Sequence, residues 1–168
     1  MIRKPALFLD RDGVVNKYGA YIHKIKDFEF NKGIFKLCSD FKIAGFKIII
    51  ITNQAGVARN IFTEEDFYKL NEFMLIKFRE KGINIDDVYK CFCHPDYSQG
   101  SCECRKPNPG MILDAIKKHK IDPLKSILIG DSKSDVEAGN NANVKHSFLI
   151  QRNILPTYKS LISQINDA

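Results

Sequence analysis

Residues 6–13 read Ala-Leu-Phe-Leu-Asp-Arg-Asp-Gly. A continuous apolar run that halts at a charge has the form of a strand buried on both faces, as in parallel sheets covered by helices on each side. The glycine lets the backbone turn sharply straight after the two acids. The same form recurs along the chain. Residues 46–51 are rich in isoleucine and end at Thr52, and residues 87–91, 126–129 and 147–150 read as three further strands.

Between these runs the apolar period lengthens to that of a helix. Ile34, Leu37, Phe41 and Ala44 share one face, and Gly45 is placed to end that helix. Thr63 with Asp66 three residues on is a capping-box start for a second, whose face is Phe67, Leu70, Phe73, Met74 and Phe78. Asn108 as N-cap and Pro109 as first helical residue open a third, carrying Ile112, Leu113, Ala115 and Ile116. A fourth follows Ser134, and a fifth holds Leu161, Ile162 and Ile165. Strand and helix in alternation predict an α/β domain with a parallel sheet and helices on both faces. Ligands then bind beyond the carboxyl ends of the strands.

The chain has 168 residues, a length for one domain spanning 1–168. Its 44% hydrophobic content supports a packed core and excludes a disordered chain. The longest purely apolar stretches, residues 48–51 among them, are far below the roughly 20 residues of a membrane helix. The N-terminus has no signal-peptide pattern, so a cytoplasmic location is expected. An excess of 26 Lys+Arg over 20 Asp+Glu gives a formal charge of +6, which favours anionic partners. The basic residues are spread along the chain instead of concentrated, which fits a phosphorylated small molecule better than nucleic acid.

The strand ends carry the chemistry. Asp10, Asp12 and Gly13 follow the first strand, Thr52, Asn53 and Gln54 the second, and Asp131 to Asp135 the fourth, while Arg105 and Lys106 precede the third helix. Carboxylates crowded together repel unless a cation holds them, and hard oxygen ligands suit Mg²⁺. An ionised Asp10 can attack phosphorus to form an aspartyl-phosphate. Asp12 can protonate the leaving oxygen and later take a proton from the hydrolysing water. Lys106, the Thr52 hydroxyl and loop N–H groups can neutralise the charge on the transferred phosphoryl group.

The set FLDRDGVVN (8–16), ITNQAG (51–56), CRKPNPGM (104–111) and IGDSKSD (129–135) resembles, in order, the four motifs of the haloacid dehalogenase superfamily of phosphohydrolases. The LDRDG wording, the cysteines just before Arg105 and Lys106, and the short chain resemble its heptose bisphosphate phosphatase subfamily, with the histidinol-phosphate phosphatases close by. The resemblance implies a three-layer Rossmann-like sheet with a minimal cap. It also implies removal of the C7 phosphate of D-glycero-D-manno-heptose 1,7-bisphosphate, with histidinol phosphate as the alternative substrate. By the same match Asp10 is the nucleophile and Asp12 the acid/base, and Thr52 and Lys106 bind the phosphoryl group. Mg²⁺ is held by the Asp10 and Asp131 carboxylates and the Asp12 carbonyl. Tyr18, Gly19, Ala20, Tyr21, Asn53, Gln54, Ala55 and Arg105 contact substrate. These enzymes often have Lys directly after the motif-four acid, whereas this chain has Ser132, with Lys133 one place later as the substitute contact.

Cys91, Cys93, Cys102 and Cys104 form two C-x-C pairs, and four thiolates fit a closed, structural Zn²⁺ site. The family resemblance adds that a zinc loop is expected here, commonly with a His among three Cys, so His94 stands as a substitute ligand for Cys93. Zinc would pin the loop 94–101 so that Arg105 and Lys106 face the phosphate. The fifth cysteine, Cys38, lies on a buried helix face as core.

Plainer readings stand beside several of these. Asp135 serves equally as an acidic residue at a helix N-terminus or as an outer partner of the metal ligands. Tyr18, Tyr21, His23 and Arg59 are as readily ordinary loop residues as substrate contacts. A monomer acting on a phosphorylated metabolite is the expectation. The rival class is a zinc-containing nucleic-acid-binding or DNA-end phosphatase module, against which the only adjacent basic pair near the thiols is Arg105 and Lys106.

Overall fold

The computed structural model describes residues 3–100 and 102–166; Ser101, the expected end of the zinc loop, lies outside them. Five strands, β1 (Ala6–Leu9), β2 (Lys47–Asn53), β3 (Asp87–Cys91), β4 (Ile127–Gly130) and β5 (His146–Leu149), are separated by α1 (Ile34–Ile43), α2 (Glu64–Glu80), α3 (Gly110–His119) and α4 (Lys133–Asn141). Helix α5 (Tyr158–Asn166) follows β5. The strands form one sheet in the order β3-β2-β1-β4-β5, and every neighbouring pair is parallel. This is the three-layer α/β arrangement expected from the alternating pattern.

Side chains alternate between the faces of a strand, and β1 serves two cores at once. Leu7 and Leu9, with Ile48 and Ile50, share one core with Leu37, Cys38 and Phe41 of α1, Leu70, Met74 and Phe78 of α2, and Leu161 of α5. Ala6 and Phe8, with Ile49 and Ile51, share the other with Met111, Ile112 and Ala115 of α3 and Ala138 of α4. A strand with helices on both sides has no solvent face, which is why its sequence is apolar without interruption. Each Leu, Ile or Phe so buried contributes about 1.5–3 kcal/mol. Among the described residues no helix is long and apolar enough to cross a membrane.

The Thr63 capping box is present: Asp66 N donates to Thr63 Oγ1 at 3.1 Å, and Thr63 N to Asp66 Oδ2 at 2.9 Å. Two other helix starts differ from expectation. Helix α3 begins at Gly110, after Pro109, and Asn108 makes no capping bond; its side-chain amide instead turns to the thiol loop and donates to the Cys102 carbonyl at 2.7 Å. Helix α4 begins at Lys133, not after Ser134, with Ser132 as its N-cap. Strand β2 runs to Asn53, so Thr52 lies within it.

The β2–β3 edge depends on Asp86. Its Oδ2 accepts from Ile48 N at 2.8 Å and from Lys42 Nζ at 2.9 Å. Burial works to raise its pKa, but these two donors outweigh it and hold the carboxyl below its ordinary value. Asp86→Ala should destabilise the protein by about 1–3 kcal/mol, read from urea unfolding at neutral pH, because the Ile48 amide loses its acceptor. A depressed folded-state pKa gives stability that is present above the unfolded value of about 4 and lost as pH falls through the folded one. The difference between wild type and variant should therefore shrink in acid below about pH 4.

Candidate active site

The chain runs outward from β1 to β2 and β3, then returns to β4 on the other side of β1. At that switch point the carboxyl ends of the strands open into a cavity of about 360 Å³. Asp10 continues the β1–β4 ladder through a bond from its N–H to the Ile129 carbonyl at 3.1 Å. The chain then reverses at Gly13, whose φ of 92° suits glycine. A Cβ on Gly13 would sit 2.3 Å from Asp131 Oδ2, so this turn also needs glycine to let the motif-four acid approach.

Asp12 is oriented from three sides. Arg11 Nη2 donates to its two carboxylate oxygens at 3.1 and 3.0 Å, Asn16 Nδ2 to Oδ1 at 3.0 Å, and Gln54 Nε2 to Oδ2 at 2.9 Å. Arg11 is 1% exposed. The same Nη2 reaches the Ile22 carbonyl at 2.9 Å and Gln54 Oε1 at 3.2 Å, and the guanidinium lies 5.8 Å from the centre of the Phe67 ring. Gln54 Nε2 also donates to Thr52 Oγ1 at 2.8 Å, linking the ends of β1 and β2.

Lys106 Nζ is enclosed, 2.7 Å from Asp10 Oδ1, 2.6 Å from Asp135 Oδ1 and 3.0 Å from the Ile51 carbonyl. Its backbone is fixed by Asn53, which accepts from Lys106 N at 3.1 Å and donates to Lys106 O at 3.2 Å. Burial opposes the ammonium charge, but Asp10 and Asp135 outweigh it and keep its pKa above the ordinary value. Asp10 is pushed up to about 7, chiefly by burial and further by Asp135 and Asp12, against the pull of Lys106. One buried ammonium thus leaves the acids short of positive charge.

Asp10, Asp131 and Asp135 each offer an oxygen, all within 4.8 Å of one another. These hard donors fit Mg²⁺. Asp135 Oδ2 is already engaged by Ser132 N and Oγ at 3.0 and 2.7 Å, and its Oδ1 by Lys106. Asp135 therefore closes the start of α4, one of the two duties weighed for it, and in addition holds Lys106. Asp10 and Asp131 remain as the direct candidates for the metal.

The four cysteines of the expected zinc site come together, their sulfurs all within 4.8 Å of one another. Cys91 and Cys102 sulfurs are 3.4 Å apart, Cys102 and Cys104 3.3 Å, and Cys93 and Cys104 3.9 Å. With Zn–S bonds of about 2.3 Å a tetrahedron has S–S edges of about 3.8 Å, so the group has the size and the donor set of a zinc site. All four are free thiols. Burial raises the Cys91 thiol; Cys102 is also desolvated, but hydrogen bonds from Cys93, Cys104 and Cys91 bring it down to about 7. His94 is outside this group: its Nδ1 accepts from Asp96 N at 3.1 Å and the residue lines the cavity. Arg105 Nη1 donates to the Cys93 carbonyl at 3.0 Å, joining the thiol loop to the cavity wall.

Of the other expected substrate contacts, Tyr18, Gly19, Ala20, Tyr21, Asn53, Gln54, Ala55 and Arg105 line the cavity. Thr52 is buried behind Gln54. Lys133 is exposed at the first position of α4 and does not line the cavity. Arg59 also stands outside the lining, bonded to the Tyr21 hydroxyl and lying over the Tyr21 and Tyr97 rings. Two arginines were not anticipated: Arg11, whose place between the two acids was a visible signal, and Arg152, which had none.

Comparison with known proteins agrees with this geometry. A family model described as HAD-hydrolase-like matches residues 103–153. The chain is 44% identical over 158 residues to the D-glycero-beta-D-manno-heptose-1,7-bisphosphate 7-phosphatase of Helicobacter pylori, covering 94% of this chain and 89% of that one. It is 45% identical to the D-glycero-alpha-D-manno-heptose-1,7-bisphosphate 7-phosphatase of Campylobacter jejuni, covering 89% and 84%. The crystal structure of D,D-heptose 1,7-bisphosphate phosphatase from B. bronchiseptica, complexed with magnesium and phosphate, superposes with a TM-score of 0.80 at 26% identity, covering 95% and 86%.

Proposed function

The chain belongs to the haloacid dehalogenase-like phosphatases, and from that membership we propose that it removes the C7 phosphate of D-glycero-D-manno-heptose 1,7-bisphosphate. The observation that carries this reading is the division of labour between the two motif-one acids. Asp10 is buried against Lys106, while Asp12 is held two residues away by Arg11, Asn16 and Gln54.

Asp10 attacks phosphorus, the bond from phosphorus to the sugar oxygen breaks, and Asp12 gives its proton to that oxygen. Asp12 then takes a proton from water, which attacks the aspartyl-phosphate and restores the Asp10 carboxylate. Lys106 offsets negative charge on the phosphoryl oxygens throughout. The Asp10 and Asp131 carboxylates, with the Asp12 carbonyl that the family resemblance adds, would hold Mg²⁺, which would supply further positive charge to the phosphate. Zinc in the four thiolates would be structural, since a Cys₄ site leaves no open position. Free thiols suit the reducing cytoplasm.

The test is phosphate release from the α and β anomers of the heptose bisphosphate and from histidinol phosphate, each with Mg²⁺. One or both anomers should give the highest kcat/KM. A higher value on histidinol phosphate would replace the substrate while leaving the chemistry intact. The relatives divide between alpha and beta substrates at nearly equal identity, and the same screen reads which anomer this chain prefers.

A further inference from the structure

Arg152 is a cation at the cavity that the catalytic steps do not use. It lies on the loop after β5, and its Nε donates to Asp131 Oδ2 at 2.8 Å. Its guanidinium lies 3.7 Å from the centre of the Tyr18 ring. The loop is fixed to the motif-one turn: Asn153 N donates to the Gly13 carbonyl at 2.9 Å, and Asn153 Oδ1 accepts from Tyr18 N at 2.7 Å. Asn153 does this from a left-handed conformation, φ 64°, which asparagine tolerates better than most residues. Half of the Arg152 side chain is exposed, and it faces the cavity.

The other basic groups nearby are committed or misplaced. Lys106 is enclosed by Asp10 and Asp135. Arg105 approaches from the β3 side and is tied to the Cys93 carbonyl, and Lys133 lies outside the lining. Arg152 approaches from the β5 side of Asp10, with only its Nε engaged among the described residues. A guanidinium presents a planar fork that matches two phosphate oxygens, and stacking on an aromatic face keeps that plane oriented.

We propose that Arg152, oriented by Tyr18, Asp131 and Asn153, binds the second, non-reacting phosphate of the substrate and so sets a preference for bisphosphates over monophosphates. It rests on the reading of the substrate given above. It also explains how the site manages with Ser132 where a lysine was expected.

The experiment measures KM for heptose 1,7-bisphosphate and for heptose 7-phosphate in wild type, Arg152→Gln and Arg152→Lys. Loss of a charged hydrogen bond predicts that the preference for the bisphosphate, as a ratio of the two KM values, falls roughly 10-fold to 100-fold in Arg152→Gln. Arg152→Lys, which keeps the charge but not the fork, should fall between. A purely structural role through Asp131 would weaken both substrates alike and leave the ratio where it was, which would overturn the proposal. A wild type that prefers neither substrate would also overturn it while the phosphatase reading stood. Release of phosphate from neither would overturn both.

Discussion

Asp10→Asn should lower phosphate release by about 10⁴-fold or more while the protein stays folded. The loss is large because an amide oxygen is a poor nucleophile and the enzyme has no substitute at that position: Asp12 is held by three side chains and Asp135 is committed to Lys106 and Ser132. The fold should survive because the carboxylate is costly where it stands. Burial, with Asp135 and Asp12 adding to it, pushes Asp10 up to about 7, so a neutral side chain of the same shape relieves that penalty. Against this, Lys106 loses one ionic partner but keeps Asp135 at 2.6 Å and the Ile51 carbonyl at 3.0 Å. The two effects oppose each other, so the melting temperature by circular dichroism should stay within about 5 °C of wild type. Activity within tenfold of wild type would remove Asp10 from the nucleophile's place.

What could be read from the sequence, and what could not, divides by how far the relevant partner lies along the chain. The apolar run of β1 announces itself, although its covering helices lie far along the chain, because burial on both faces leaves every one of its own residues apolar. Thr63 and Asp66 cap α2 as expected because the whole motif spans three residues. Asn108 has the form of a cap of equal quality, yet its side chain is turned to the thiol loop, where Nδ2 donates to the Cys102 carbonyl, and the helix starts without it. Arg11 carries a local sign, its place between the two acids, but its burial is not legible, because charged residues are seldom buried and only the fold brings Gln54 and the Ile22 carbonyl around it. Arg152 has no such local sign. Its partners Asp131 and Tyr18 are brought to it by the β4–β5 pairing and the Asn153 clamp.

Cys102→Ser should abolish zinc binding and raise KM roughly 10-fold, with a smaller loss of global stability. Removing one thiolate of four sacrifices much of a metal affinity that amounts to about 10–16 kcal/mol in small zinc domains. Little of that need appear in global unfolding, because both hydrophobic cores are built mainly from strands and helices outside the loop, though Cys91 itself is buried at the end of β3. The cost falls on what the loop positions. Cys102 O accepts from Asn108 Nδ2, the Cys93 carbonyl accepts from Arg105, and Lys106 follows directly, reaching Asp10 and Asp135 from this segment. Releasing the thiols loosens Arg105 and Lys106 together, so binding of the phosphoryl group weakens. Chelation of zinc from the wild type should reproduce the same change, and added zinc, but not magnesium, should reverse it. A variant without bound zinc that kept wild-type kinetics would show that the loop holds its shape by packing alone, through the Glu103 carbonyl on Gly110 N and the Asn108 bond, and that the metal has no part in positioning Lys106.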